Sequence, residues 1–121
     1  MDNAQRLQLE TYGVNWEDAM ERFGGNTAFY FKLLARYTEK AYLEQMKQSL
    51  EAGDENAAYE ACHTLKGVAG NLSLTPLFEV ASAACVAFRE GNPEAARNMI
   101  PQLETHHALA REAASLAKQL Q

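Results

Sequence analysis

The sequence predicts an all-α protein, an antiparallel up-down-up-down four-helix bundle with a short extra N-terminal helix. Three observations point there. Apolar residues recur at the helical period through most of the chain. Gly, Thr-Pro and Asn-Pro punctuation divides it at regular intervals. No segment sustains period-two alternation, and β-branched residues are scarce. Helices joined by loops of about two to four residues must lie antiparallel to their neighbours. At 121 residues, the span 1–121 reads as one domain with one core.

The elements follow from the punctuation. After a polar lead-in over residues 1–12, Asn15 serves as an N-cap, with Glu17 and Asp18 favouring the positive helix end. That helix, about 15–23, stops at Gly24-Gly25. Asn26 or Thr27 caps a second helix, about 27–52, with Phe29, Leu33, Leu34, Tyr37, Ala41, Met46 and Leu50 supplying buried surface. Gly53-Asp54 is a stop followed at once by a cap, and opens a third helix, about 55–72. Thr75-Pro76 supplies a capping hydroxyl with proline at the first helical position of a fourth helix, about 76–90. Asn92-Pro93 repeats that start for a last helix, about 93–120. Pro101 predicts a kink near Arg97–Pro101, not a break, because Ala96, Met99, Ile100, Leu103, His107, Ala110, Ala114 and Ala117 stay in phase.

Charge and composition narrow the function. A net charge of −5 argues against nucleic acid or an anionic membrane as partner, since both attract basic stripes. No apolar run approaches the roughly 20 residues that span a bilayer, and Met1–Arg6 lacks the basic and apolar regions of a signal peptide. Two cysteines, Cys62 and Cys85, make no disulfide framework, and reduced thiols in a cytoplasmic protein are expected.

The chemistry concentrates on the third helix. At 100° per residue, Ala58, Ala61, Leu65, Val68, Ala69 and Leu72 form an apolar stripe. His63, Lys66, Gly67 and Gly70 fall on the opposite side. Each interior glycine costs roughly 0.5–1 kcal/mol relative to alanine. Two of them beside an imidazole therefore suggest space kept clear for a bulky reactant and a docked protein, the alternative being close approach of a neighbouring helix. Lys66, one turn from His63, is a cation within reach of an anion bound there, or else an ordinary solvated lysine. Tyr59, Glu60 and Thr64 surround the imidazole as candidate docking residues, with Gly70 shaping the same surface. Neither Cys62-His63 nor His106-His107 has ligand spacing, so no metal site is expected.

The segment HTLKGVAGNL, His63–Leu72, resembles the signature of histidine-containing phosphotransfer (HPt) domains. Gly13-Val14-Asn15, Arg22-Phe23-Gly24-Gly25 and Tyr30 with Leu33-Leu34 are similar to that family's N-terminal segment, so the likeness runs over about residues 11–120. Two positions depart from it: Ser73 stands where many members have glycine, and Asn15 where aspartate is usual. The resemblance implies a phosphorelay in two-component signalling. His63 is then the phosphoacceptor, taking a phosphoryl group from a receiver-domain aspartate and passing it to another, with Lys66 and Gly67 beside the phosphate. Response-regulator receiver domains and a hybrid sensor histidine kinase are the implied partners.

Phosphoryl transfer asks mainly for in-line positioning and charge neutralisation. The chain offers a nucleophile and one cation, so it is expected to bind no cofactor of its own and to rely on the Mg²⁺ of the partner receiver. It has no Gly-rich nucleotide loop and reads as a carrier without kinase activity. The competing reading is a helical adaptor that docks receivers or other signalling proteins without being phosphorylated. General-base catalysis at His63 is weaker still, for want of an orienting carboxylate and a cleft. A start at Met1 and an end near the last helix favour a free-standing protein, and self-burial of the four stripes favours a monomer.

Overall fold

The computed structural model describes residues 1–39 and 41–121. The helices are α1 (Asn3–Thr11), α2 (Trp16–Arg22), α3 (Thr27–Ala35), α4 (Tyr42–Glu51), α5 (Glu55–Asn71), α6 (Thr75–Arg89), α7 (Pro93–Asn98) and α8 (Ile100–Gln119), with a 3₁₀ turn at Arg36–Glu39. The all-α class is as the sequence predicts. Along the chain, α4 packs on α5, α5 on α6 and α6 on α8, while α8 packs back on α3. That closure is compatible with an up-down-up-down bundle whose first strut is α3 with α4 and whose last is α7 with α8.

Four expectations are corrected. The polar lead-in over residues 1–12 is helical. Asp2 accepts from the Gln5 backbone N–H at 2.8 Å while the Gln5 side chain accepts from the Asp2 N–H at 2.9 Å, a capping box, and Leu9 is fully buried.

The single helix over 27–52 is divided into α3, the 3₁₀ turn and α4, its passage at Lys40 lying outside the described residues. The reason is phase. The stripe buried by α3 (Tyr30, Phe31, Leu34, Ala35) and that buried by α4 (Leu43, Met46, Leu50) would point about 120° apart on one straight helix. The interruption lets α3 lie on α8 and α4 on α5. It also leaves Phe29 48% exposed and Ala41 exposed, against the expectation that both are buried.

Thr75 is not a cap. The residue preceding α6 is Leu74, no side chain caps that end, and Pro76 falls in the first turn. Backbone takes over, because Leu74 pairs with Val14 in an isolated antiparallel bridge.

Finally, the kink expected near Arg97–Pro101 is an interruption at Met99, with Pro101 in the first turn of α8, where its missing N–H is tolerated. Ala96, Leu103, Ala110, Ala114 and Ala117 are nonetheless all buried on one side, so the stripe does run on.

The core is aromatic at its N-terminal end and alanine-rich elsewhere. Tyr30 is fully buried, with the rings of Trp16, Phe23 and Phe31 at 6.2, 5.1 and 6.0 Å, and its hydroxyl donates to the Leu72 carbonyl at 2.8 Å. Tyr37, also fully buried, sits 2.7 Å from His107 Nδ1. Each buried hydroxyl is therefore partnered, which removes the penalty of desolvating it alone.

Candidate functional site

The site is built on α5. Asp54 caps it by accepting from the Ala57 N–H at 3.0 Å, and Ala58, Ala61, Cys62, Leu65 and Ala69 are buried against α4 and α6. Burying that stripe turns His63 outward. The ring is exposed, whereas His106 and His107 on α8 are half-buried and His107 is bonded to Tyr37.

Tyr59, one turn earlier, stacks on His63 with ring centroids 5.8 Å apart and planes at 23°. The edge of Phe88 from α6 meets Tyr59 at 6.2 Å and 77°. A packed aromatic thus lies against one face of the imidazole of an otherwise exposed residue. Sequence spacing places Tyr59 beside His63. The Phe88 brace comes from another helix and has no sequence signal beyond an aromatic at the edge of the α6 stripe.

The two glycines part company. A Cβ added at Gly67 meets nothing within 4 Å, so the turn after His63 is bare surface. A Cβ at Gly70 lies 3.0 Å from Phe78 Cδ1 and 3.2 Å from Cε1. The expectation that both glycines clear the face therefore holds for Gly67 only. Gly70 lets the Phe78 ring of α6 approach the α5 backbone, the close-packing alternative.

Lys66 is half-buried, Glu60 and Thr64 are exposed, and the Thr64 hydroxyl donates to its own helix at the Glu60 carbonyl, 3.0 Å. Beneath His63 the sulfurs of Cys62 and Cys85 are 3.6 Å apart, both thiols free and fully buried. Cys62 Sγ lies 3.5 Å from the Ala81 carbonyl, to which it donates. Cys85 in turn donates to Cys62 Sγ, and the contact with Cys62, with Lys66 and His63 nearby, draws the Cys85 thiol below its ordinary value against the opposing effect of burial. The same contact and burial push Cys62 upward.

The α5–α6 corner carries a feature the sequence marks only as a departure. Ser73 is buried with φ +57°, the left-handed position that glycine fills most easily. Its N–H bonds to the Gly70 carbonyl at 3.2 Å and the Leu74 N–H to Ala69 at 2.9 Å, a Schellman closure of α5. Its hydroxyl donates to Asp18 at 2.7 Å, and its carbonyl accepts from the Asn15 N–H at 2.8 Å. Arg22 first and Ser73 second hold the Asp18 carboxyl below its ordinary value. Serine thus serves in place of glycine because its hydroxyl ties the corner to α2.

Among the described residues, no group of three or more His, Cys, Asp or Glu gathers as a metal site. Nor, among them, is any helix long and apolar enough to cross a membrane. The arrangement offers an accessible, oriented nucleophile, bare backbone one turn on and a cation on the same helix. Comparison with curated proteins and with solved structures found no significant match. The family model described as Hpt domain matches residues 38–117, from the 3₁₀ turn into α8 and across the whole of α5. The chain belongs to the Hpt domain family, the phosphotransfer carriers, not kinases, of phosphorelay signalling.

Proposed function

We propose that His63 is the phosphoacceptor of this protein, receiving a phosphoryl group from the aspartyl phosphate of one receiver domain and delivering it to the aspartate of another. In its neutral form an imidazole carries one unprotonated ring nitrogen, and that lone pair is the nucleophile. That nitrogen attacks phosphorus, the P–O bond to the aspartyl carboxylate breaks, and the carboxylate leaves. Delivery is the reverse, with the second receiver's carboxylate attacking and the imidazole leaving. Mg²⁺ comes with the receiver, as does most of the stabilisation of the three equatorial oxygens. Lys66 adds one cation, and Gly67 leaves room for the phosphate. Tyr59, Glu60 and Thr64 line the surface on which a receiver docks, and Gly70 keeps that surface flat by seating Phe78.

The observation that carries this reading is selective exposure: of the three histidines, His63 is the one turned to solvent, beside a helical turn that carries no side chain. We further infer that the chain acts as a monomer in the cytoplasm, downstream of a hybrid sensor histidine kinase.

The test mixes the protein with receiver domains charged by labelled acetyl phosphate in Mg²⁺. Acid-labile, alkali-stable label should appear on the protein and then pass to a second, uncharged receiver. Binding of receivers without any label would make it a non-phosphorylated adaptor.

A further inference from the structure

Cys62 and Cys85 are the two cysteines of the chain, and the fold sets them face to face across the α5–α6 interface. Their neighbours are alanines that fill the same small volume, Ala58, Ala61, Ala81 and Ala84 among them. Packing alone therefore asks for small side chains there, not for two thiols in contact. The 3.6 Å between the sulfurs must shorten to about 2.05 Å in a disulfide. Side-chain rotation and a small approach of the helices supply that distance. Each thiol is also one residue from solvent: His63 follows Cys62, and Val86, 41% exposed, follows Cys85. A local separation of α5 and α6 at this level thus admits a small oxidant.

We infer that Cys62 and Cys85 form a redox-active dithiol, a modification site that closes under hydroperoxide into an intramolecular disulfide tying α5 to α6 beneath His63. Cys85, as thiolate, attacks one peroxide oxygen. The O–O bond breaks, the departing oxygen leaves as water after taking a proton, and Cys85 carries a sulfenic acid. The Cys62 sulfur then attacks the Cys85 sulfur, the S–O bond breaks, and that hydroxide leaves with the Cys62 proton as a second water. Two thiols lose two electrons and the peroxide gains them. A consequence rests on the relay reading. Drawing Cys62 toward α6 shifts the neighbouring His63, and in-line transfer is sensitive to displacements of about 1 Å, so the oxidised protein accepts phosphoryl groups on the order of tenfold more slowly.

The experiment treats the native protein with hydrogen peroxide, removes the excess with catalase, alkylates under denaturing non-reducing conditions and weighs the intact chain. The expected product is a monomer lighter by two hydrogens, with neither sulfur alkylated and both restored by dithiothreitol. Cys62→Ala and Cys85→Ala should each fail to form it. Two alkylatable thiols after treatment, oxygen added to one sulfur without a crosslink, or a bond between chains would overturn the dithiol. Phosphoryl acceptance is then measured on the same samples. Slowing reversed by dithiothreitol, and missing from both alanine variants, supports the coupling, whereas a disulfide with unchanged transfer rejects it. Reduced protein that takes no phosphoryl group from any receiver defeats the relay reading and leaves the mass result standing.

Discussion

Gly67 and Gly70 stand three residues apart on one helix, yet their surroundings give them different reasons to lack a side chain. Alanine at Gly67 enters open space and gains helix propensity, so Gly67→Ala should stabilise the fold by about 0.5–1 kcal/mol. Gly67→Gln should keep the fold and still obstruct phosphoryl acceptance. At Gly70 the Phe78 ring must first give way, so Gly70→Ala should gain less than Gly67→Ala and Gly70→Leu should lose stability outright. Urea unfolding of the four variants, with transfer assays on the Gly67 pair, distinguishes these cases. Equal melting of the two alanine variants would contradict the assignment.

For Lys66, solvent screening limits the gain to about 1 kcal/mol or less, so Lys66→Ala should slow transfer by at most about fivefold without abolishing it. Unchanged transfer kinetics would remove it from the mechanism. Much of this scale is legible in the sequence, because helical period alone tells which face His63 occupies and puts Tyr59 one turn away. The partners of Gly70 and Tyr59, Phe78 and Phe88, are not. They come from another helix, and no local spacing encodes which ring crosses an interface.

At the scale of elements, four of the caps were readable, whereas the Asp2 cap, the uncapped start of α6 and the interruption in the first strut were not. Asn15, Asn26, Asp54 and Asn92 each accept a backbone N–H from three residues ahead, as their chemistry suggests. The break after Ala35 has no glycine or proline to announce it. It is set by two buried stripes out of phase, visible only once it is known that α3 must lie on α8 and α4 on α5.

The Ser73 corner belongs here too. Left-handed backbone costs a non-glycine residue about 1 kcal/mol, and a hydrogen bond to a partly exposed carboxylate returns a similar amount. Ser73→Gly exchanges one for the other and should stay within about 0.5 kcal/mol of the parent. Ser73→Ala keeps the strain and loses the bond, and should be less stable by about 1 kcal/mol. Equal unfolding midpoints for the two variants would show that the Asp18 contact contributes nothing.

For the molecule as a whole, the seam between the 3₁₀ turn and α8 makes stability depend on pH. Burial first, and Arg111 second, hold His107 below its ordinary imidazole value of 6.5, so the folded protein favours the neutral ring hydrogen-bonded to Tyr37. Above that value both states carry a neutral ring and the contribution is complete. As pH falls below 6.5 the unfolded chain takes up its proton first, and stability declines until the lower folded value is reached. Between about pH 7.5 and 5.5, His107→Gln should therefore lose less stability than the parent does. Identical slopes in urea titrations would refute the assignment.

The same contact bears on the site. It occupies His107 in holding the bundle together while His63 stands exposed on α5, a division of labour that the apolar phase of His107 hints at and only the Tyr37 hydroxyl makes specific. The most direct test is to phosphorylate the protein with a charged receiver, digest it at alkaline pH and locate the phosphoryl group by tandem mass spectrometry. It should lie on the peptide carrying His63 and vanish in His63→Gln. Phosphate on His106 or His107 instead, or persisting in that variant, would contradict the assignment.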